Sequence, residues 1–420
     1  MNLPEISITD FDYVLPEERI AKYPLEQRDH SKLLINNKGK LTQDHFYNLP
    51  SYLPSDSIMF FNNTKVVPAR LIFRKPTGAF IEIFCLEPVD PAEYNISFAQ
   101  TKSCVWKCII GNAKRWKSGL IPIYIADDDP TENPHNELKN EIKQLNFRAE
   151  LVSKFDNTFY VRFHWDMDLP FSQVLETVGR IPIPPYLNRE TEAIDYDRYQ
   201  TTYAERRGSV AAPTAGLHFT PKVLEELKKK GIDEEKLCLH VGAGTFLPVK
   251  NKFIAQHIMH SEPFSVTLEV LERIYNKPEH TKIISVGTTS TRSLESLYYL
   301  GIQCIKESVE KWEPQCVSQW APYQGDDTYS TKEAIGALIS YMKFHNLQSY
   351  MFRTQIIIVP SYKYRIVDIL ITNFHQPQST LLLLVSAFLG KDNRWENMYQ
   401  YALDNDFRFL SYGDSCLLIP

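Results

Sequence analysis

At 420 residues the chain exceeds one small core, and length alone argues for roughly two or three domains. With 43% hydrophobic and 23% charged residues it is an ordinary globular sequence rather than a disordered or membrane-embedded one. The formal net charge of −5 shows no general excess of basic groups, although nucleic-acid binding depends on where Lys and Arg cluster rather than on their sum.

In chain order, the N-terminal segment has neither a basic nor an apolar export region, which points to a cytoplasmic protein. Residues 59–63 end an apolar strand-like run. Short β-like runs follow at 80–85 (FIEIFC), 105–110 (VWKCII), 121–125 (IPIYI), 147–152 (FRAELV) and 159–163 (FYVRF), divided by Gly, Pro, Asn and Asp turns. This spacing predicts a small all-β barrel or sandwich. After a proline-stiffened connector at 181–186 (IPIPPY), strands alternate with helices. Thr220 and Pro221 open a helix with Val223, Leu224 and Leu227 on one face, stopped by Gly231. A strand at 282–286, a helix at 291–300, a strand at 367–372 and a helix at 380–388, capped by Ser379 and stopped by Gly390, complete an α/β pattern. The expected architecture is an α/β main domain, residues 1–67 and 179–420, with a small β-barrel domain inserted at 68–178. Residues 312–329 read as a long surface excursion. The longest apolar run, 381–389, is far short of the roughly 20 residues that span a bilayer.

The cysteines (Cys85, Cys104, Cys108, Cys238, Cys304, Cys316 and Cys416) are odd in number and lack Cys-x-x-Cys spacing, so neither a disulfide framework nor structural zinc is expected. His257 and His260 are spaced His-x-x-His without a third matched ligand, and no metal or redox cofactor is implied.

Three non-periodic polar stretches carry the chemistry. The first, residues 199–220, surrounds His218 and includes Arg206, Arg207 and Thr214. The other two are 240–246 (HVGAGTF) and 372–380 (TNFHQPQST). Ligands bind open α/β sheets at the carboxyl ends of strands, where backbone N–H groups and helix N-termini are exposed. That plan collects His240, Gly242, Gly244 and Thr245 in one turn, Gly287, Thr288, Thr289 and Ser290 in another, and Asn373, His375 and Ser379 in a third. A tight turn or helix cap is the plain alternative for each. Glu262 suits an acid/base or ribose-hydroxyl role. Residues 94–126 hold Lys102, Lys107, Lys114, Arg115 and Lys117 and no acidic residue. Trp106 and Trp116 lie among them, either packed in a core or stacked on bases. A solvated face is the simpler reading of that charge.

These residues resemble one family, the S-adenosylmethionine:tRNA ribosyltransferase-isomerases of queuosine biosynthesis. The resemblance is carried by 60–70 (FFNNTKVVPAR), 184–186 (PPY), 208–219 (GSVAAPTAGLHF), 240–246, 259–262 (MHSE), 286–296 (VGTTSTRSLES), 372–375 with 379–381, and 407–414 (FRFLSYGD). Departures are Arg207 in place of proline, Ser361 in place of glycine, Gln376 in place of leucine, and a longer stretch at 306–354.

The resemblance implies an enzyme of two domains that moves the ribosyl part of S-adenosylmethionine, a co-substrate rather than a cofactor, onto 7-aminomethyl-7-deazaguanine at the tRNA wobble position. The product is epoxyqueuosine-tRNA, with adenine and methionine released. A base must remove a proton acidified by the sulfonium, and a donor must assist adenine. His218, His240, Glu262 and His375 are the candidates. Thr214, Gly242, Gly244, Thr245, Thr289, Ser290, Arg292 and Asn373 are the expected substrate contacts, with a helix N-terminus suited to the methionine carboxylate. Lys114, Arg115, Lys117, Arg206 and Arg207 are the expected tRNA contacts. No membrane partner and a monomer are expected. The competing readings are a small-molecule transferase or lyase on S-adenosylmethionine and a catalytically silent tRNA-binding homologue.

Overall fold

The structure, a computed structural model, describes residues 5–124, 133–134, 142–155, 158–239, 251–325, 328–392 and 394–420. Its strands are β1 (Lys32–Asn37), β2 (Lys40–His45), β3 (Ile58–Asn62), β4 (Thr64–Val66), β5 (Arg70–Arg74), β6 (Phe80–Asp90), β7 (Ser103–Gly111), β8 (Leu120–Pro122) and β9 (Arg148–Phe155). They continue with β10 (Thr158–His164), β11 (Arg206–Ser209), β12 (Asp233–Leu239), β13 (Glu262–Thr267), β14 (Ile283–Val286), β15 (Ser349–Thr354), β16 (Ile369–Asn373) and β17 (Ser415–Ile419).

Nine strands form a mixed sheet in the order β15-β13-β12-β3-β14-β16-β17-β1-β2. Its centre is parallel, with β3 between β12 and β14 and β16 beyond, so helices must cover both faces, and β3, β14 and β16 are buried along their whole length. Alternation along β3 shows how one strand serves two cores. Ile58 and Phe60 pack on one side with the helices Thr288–Glu307 and Thr331–Phe344, and Met59 and Phe61 pack on the other with Val223 and Leu227 of the helix Pro221–Lys229. At Gly301 the helix Thr288–Glu307 lies so close to its neighbour that an added Cβ would come 2.2 Å from the Ala334 carbonyl oxygen.

All strands of the second sheet fall between Arg70 and His164, in the antiparallel order β5-β6-β7-β10-β9-β8. A bridge between Phe73 and Ile123, with Tyr124 N donating to Ile72 O at 2.8 Å, brings the last strand back to the first, giving a nearly closed barrel. Its interior is aromatic, with Trp106, Phe147, Phe163, Trp165 and Phe171 in contact. Of the two readings of its tryptophans, the structure selects the core. Trp106 and Trp116 are 1% and 2% exposed and cannot stack on bases.

The segment 312–329 is not a mere surface excursion. Trp312 and Val317 are buried in the main core, Trp312 stacking on Phe352 and meeting Tyr341 edge-on. The longer stretch around it contributes the helix Thr331–Phe344, opened by a Ser330/Glu333 capping box, and the edge strand β15. The helix expected from residue 291 begins at Thr288 and runs to Glu307, because the Ser/Thr run after Gly287 is its first turn. Among the described residues no helix is long and apolar enough to cross a membrane.

Candidate functional site

The central strands β3, β14 and β16 end at Asn62, Val286 and Asn373, and these ends open onto a cavity of about 260 Å³. The helix Thr288–Glu307 starts at its edge, preceded by Gly287 at φ 91°. The segment 211–215 forms one wall, Met259 to Glu262 another, and Thr372 to Leu381 a third. Of the residues picked from sequence, Thr214, Glu262, Thr289, Ser290, Arg292, Asn373 and His375 line this cavity. His240, Gly242, Gly244 and Thr245 lie outside the described residues.

Glu262 is buried between two partners. Its Oε2 accepts from Arg292 Nη1 at 2.8 Å and its Oε1 from His260 Nε2 at 2.8 Å. Burial pushes the Glu262 carboxyl upward, but the Arg292 guanidinium and the His260 ring outweigh it and hold the group at about 2. A carboxylate held that low remains charged at neutral pH and is a poor proton acceptor. Arg292 is fixed in turn by Nε donating to Ile356 O at 3.1 Å. Its Nη2 is buried without a partner among the described residues, as are Ser290 Oγ, Asn62 Nδ2 and Asn373 Oδ1. All four belong to cavity-lining residues. Buried polar atoms normally find partners, so four orphans around one cavity mark where a polar ligand is received.

His218 does not line the cavity. Its Nδ1 meets Ser31 Oγ at 2.8 Å and its Nε2 meets Asn373 Nδ2 at 3.3 Å, so the ring stands behind Asn373. Burial, with Arg408 and Arg28 nearby, lowers it to about 3, so the ring is neutral. His375 is on the cavity wall, where Nε2 meets Thr372 Oγ1 at 2.9 Å and burial lowers it to about 3. Its backbone is pinned by Tyr13 OH donating to His375 O at 2.5 Å and by His375 N donating to Tyr399 OH at 3.0 Å.

The basic candidates lie elsewhere. Lys114, Arg115 and Lys117 are exposed on the barrel between β7 and β8. Arg206 and Arg207 are exposed on β11, which pairs with β4. The charge of Arg207 is offset by Glu176, whose Oε1 is 2.7 Å from its Nη2. Among the described residues no group of three His, Cys, Asp or Glu side chains is placed to hold a metal ion.

Sequence reasoning weighs His260 only as half of a His-x-x-His pair and assigns no role to it, to Asn62 or to Tyr186, yet all three line the cavity. The signal for His260 is its spacing. It stands two residues before Glu262, so an extended backbone turns both side chains to one side, while Ser261 points away to Arg353. Asn62 is the last residue of a buried strand and lies in the resembling segment 60–70, where nothing in the sequence sets it apart from its neighbours.

The family model described as queuosine biosynthesis protein matches residues 8–418. An S-adenosylmethionine:tRNA ribosyltransferase-isomerase of Sulfurihydrogenibium sp. is 37% identical over 418 residues, covering 99% of this chain and 100% of that protein. A protein of the same name from Trichlorobacter lovleyi is 34% identical over 416 residues, covering 98% of this chain and 99% of that protein. A crystal structure of S-adenosylmethionine tRNA ribosyltransferase from Thermotoga maritima is 26% identical, covers 98% of this chain and 100% of its own, and superposes with a TM-score of 0.45, too loose to bear on the fold. The match over nearly the whole chain, and the two full-length relatives, show that this chain belongs to the queuosine biosynthesis protein family.

Proposed function

We propose that the chain is an S-adenosylmethionine:tRNA ribosyltransferase-isomerase. It transfers and isomerises the ribosyl group of S-adenosylmethionine onto 7-aminomethyl-7-deazaguanine at the tRNA wobble position, releasing adenine and methionine. The observation that carries this reading is the cavity where family motifs from distant parts of the chain meet around orphaned polar atoms. Its residues match what the substrate presents. The N-terminus of the helix Thr288–Glu307, Ser290 Oγ and the free Nη2 of Arg292 suit the methionine carboxylate. Thr214 and Thr289 suit ribose hydroxyls, and Asn373 Oδ1 accepts from an N–H or O–H of the ligand. His375, neutral beside Thr372, offers a hydrogen bond to departing adenine.

The tRNA is held by charge. Lys114, Arg115 and Lys117 on the barrel, and Arg206 on β11, face solvent and suit phosphates. Residues 68–178 then act as an inserted barrel domain that grips RNA, while 1–67 and 179–420 carry the chemistry. Labelling tests the reading. A label in the ribosyl carbons of S-adenosylmethionine should enter tRNA, whereas a methyl label should not. Methyl transfer without ribosyl transfer rejects the proposal.

A further inference from the structure

Resting on that reaction, the geometry also selects which histidine moves the proton. A general base must become positively charged as it accepts the proton, so its surroundings must tolerate a cation. Three described histidines near the cavity fail this test. His218 is enclosed behind Asn373 with Arg408 and Arg28 nearby. His375 is buried against Thr372, with burial opposing its charge. His257 is half-buried, and its neighbour in charge is His260.

His260 differs from all three in facing a carboxylate. It lines the cavity, its side chain is 36% exposed, and its Nε2 lies 2.8 Å from Glu262 Oε1. A carboxylate can only accept, so Nε2 carries the hydrogen and Nδ1 carries the lone pair. Glu262 is itself fixed by Arg292, itself fixed by Ile356 O. The row Arg292–Glu262–His260 has the logic of a nucleophile-activating triad, in which a buried carboxylate sets the tautomer and orientation of an imidazole and stabilises its cation. The charged and titratable groups around this segment include Glu262, Arg292 behind it, His257, and Arg353, which donates to Ser261 Oγ and pairs with Glu87, with Cys316 on the same hydroxyl.

We infer that His260 is the general base, with Glu262 and Arg292 as its positioning residues. In the step, the Nδ1 lone pair takes a proton from the ribosyl carbon bonded to the sulfonium. The electron pair of the broken C–H bond stays on that carbon beside the positive sulfur. His260 becomes an imidazolium facing the Glu262 carboxylate, and its exposed side lets the proton leave to water. Because Glu262 is held at about 2, it stays anionic throughout and does not compete for the proton.

The test uses the full chain with tRNA bearing the deazaguanine base and S-adenosylmethionine tritiated on the ribosyl carbon bonded to sulfur. Tritium release to water, adenine release, KM for S-adenosylmethionine and thermal melting are followed for wild type, His260→Ala and His260→Gln. Both variants should lose on the order of 10²–10⁴ in kcat and lose tritium release in step, with KM within a few-fold and melting unchanged. Added imidazole should restore part of the activity of His260→Ala and none of that of His260→Gln, whose side chain fills the space. Wild-type tritium release in either variant overturns the assignment. So does a loss confined to KM, which would make His260 a binding residue. Failure of the wild type to release adenine rejects the reaction itself, and is thereby told apart from failure of the His260 assignment.

Discussion

Asn373 Nδ2 donates both to His218 Nε2, at 3.3 Å, and to Leu410 O, at 3.0 Å. Two acceptors on one amide nitrogen settle which way the side chain faces. His218 must then hold its hydrogen on Nδ1, towards Ser31, and Asn373 Oδ1 is left as the free acceptor. The histidine ring thus meets Ser31 and Asn373 and does not line the cavity.

His218→Ala should let the Asn373 amide rotate and should cost about 100-fold in kcat, the size of a misplacement of roughly 1 Å. His218→Gln, which can present an acceptor near the former Nε2, should recover most of it. The pH dependence of kcat between 6 and 9 should be the same in wild type and His218→Gln, since the ring is held at about 3. A titration in that range that disappears with His218 would make it an acid or base after all.

Glu262→Gln should destabilise the protein as well as slow it, because it leaves the Arg292 charge buried without its counter-ion. The folded carboxyl lies at about 2 against an ordinary 4.5, so its contribution is fully present above pH 4.5 and is lost as pH falls towards 2. At pH 7 the contribution is about 3 kcal/mol. Gln mimics the protonated carboxyl, so the stability gap between wild type and variant should narrow on acidification. Urea unfolding from pH 7 to pH 3 reads this directly, and a gap that does not change with pH contradicts it.

The φ of Ser361 is 88°, a backbone conformation that strains any residue with a Cβ. Ser361→Gly should therefore stabilise the fold by about 1 kcal/mol, seen as a rise in melting temperature, with turnover unchanged. A lower melting temperature would show that the serine is not strained.

Reversing the charge at Lys114 and Arg115 should weaken tRNA binding and lower the slope of log affinity against log salt by about 2, because each of the two residues no longer neutralises a phosphate. Arg207→Glu should do less, its charge being already met by Glu176. Unchanged affinity after the double reversal would return the patch to a solvated face.

Much of the fold is legible in the residues because its signals are local. The alternation of 80–85 and 105–110 and the caps at Thr220 and Ser379 each report on neighbours in sequence, and the corresponding elements are present. What escapes depends on distance. The roles of His218 and Glu262 are set by Asn373 and Arg292, 155 and 30 residues away. Trp312 looks like a loop residue until Tyr341 and Phe352 are packed against it. Family motifs identify which residues gather, but not which of them carries charge, which is why Glu262 suits a base on paper and is a fixed anion in the fold.

The most direct measurement is product release. Incubated with S-adenosylmethionine and tRNA carrying 7-aminomethyl-7-deazaguanine, the purified protein should release adenine and methionine in equal amounts, one of each per tRNA modified, and none when the tRNA lacks that base. S-adenosylhomocysteine together with methylated tRNA would contradict the account.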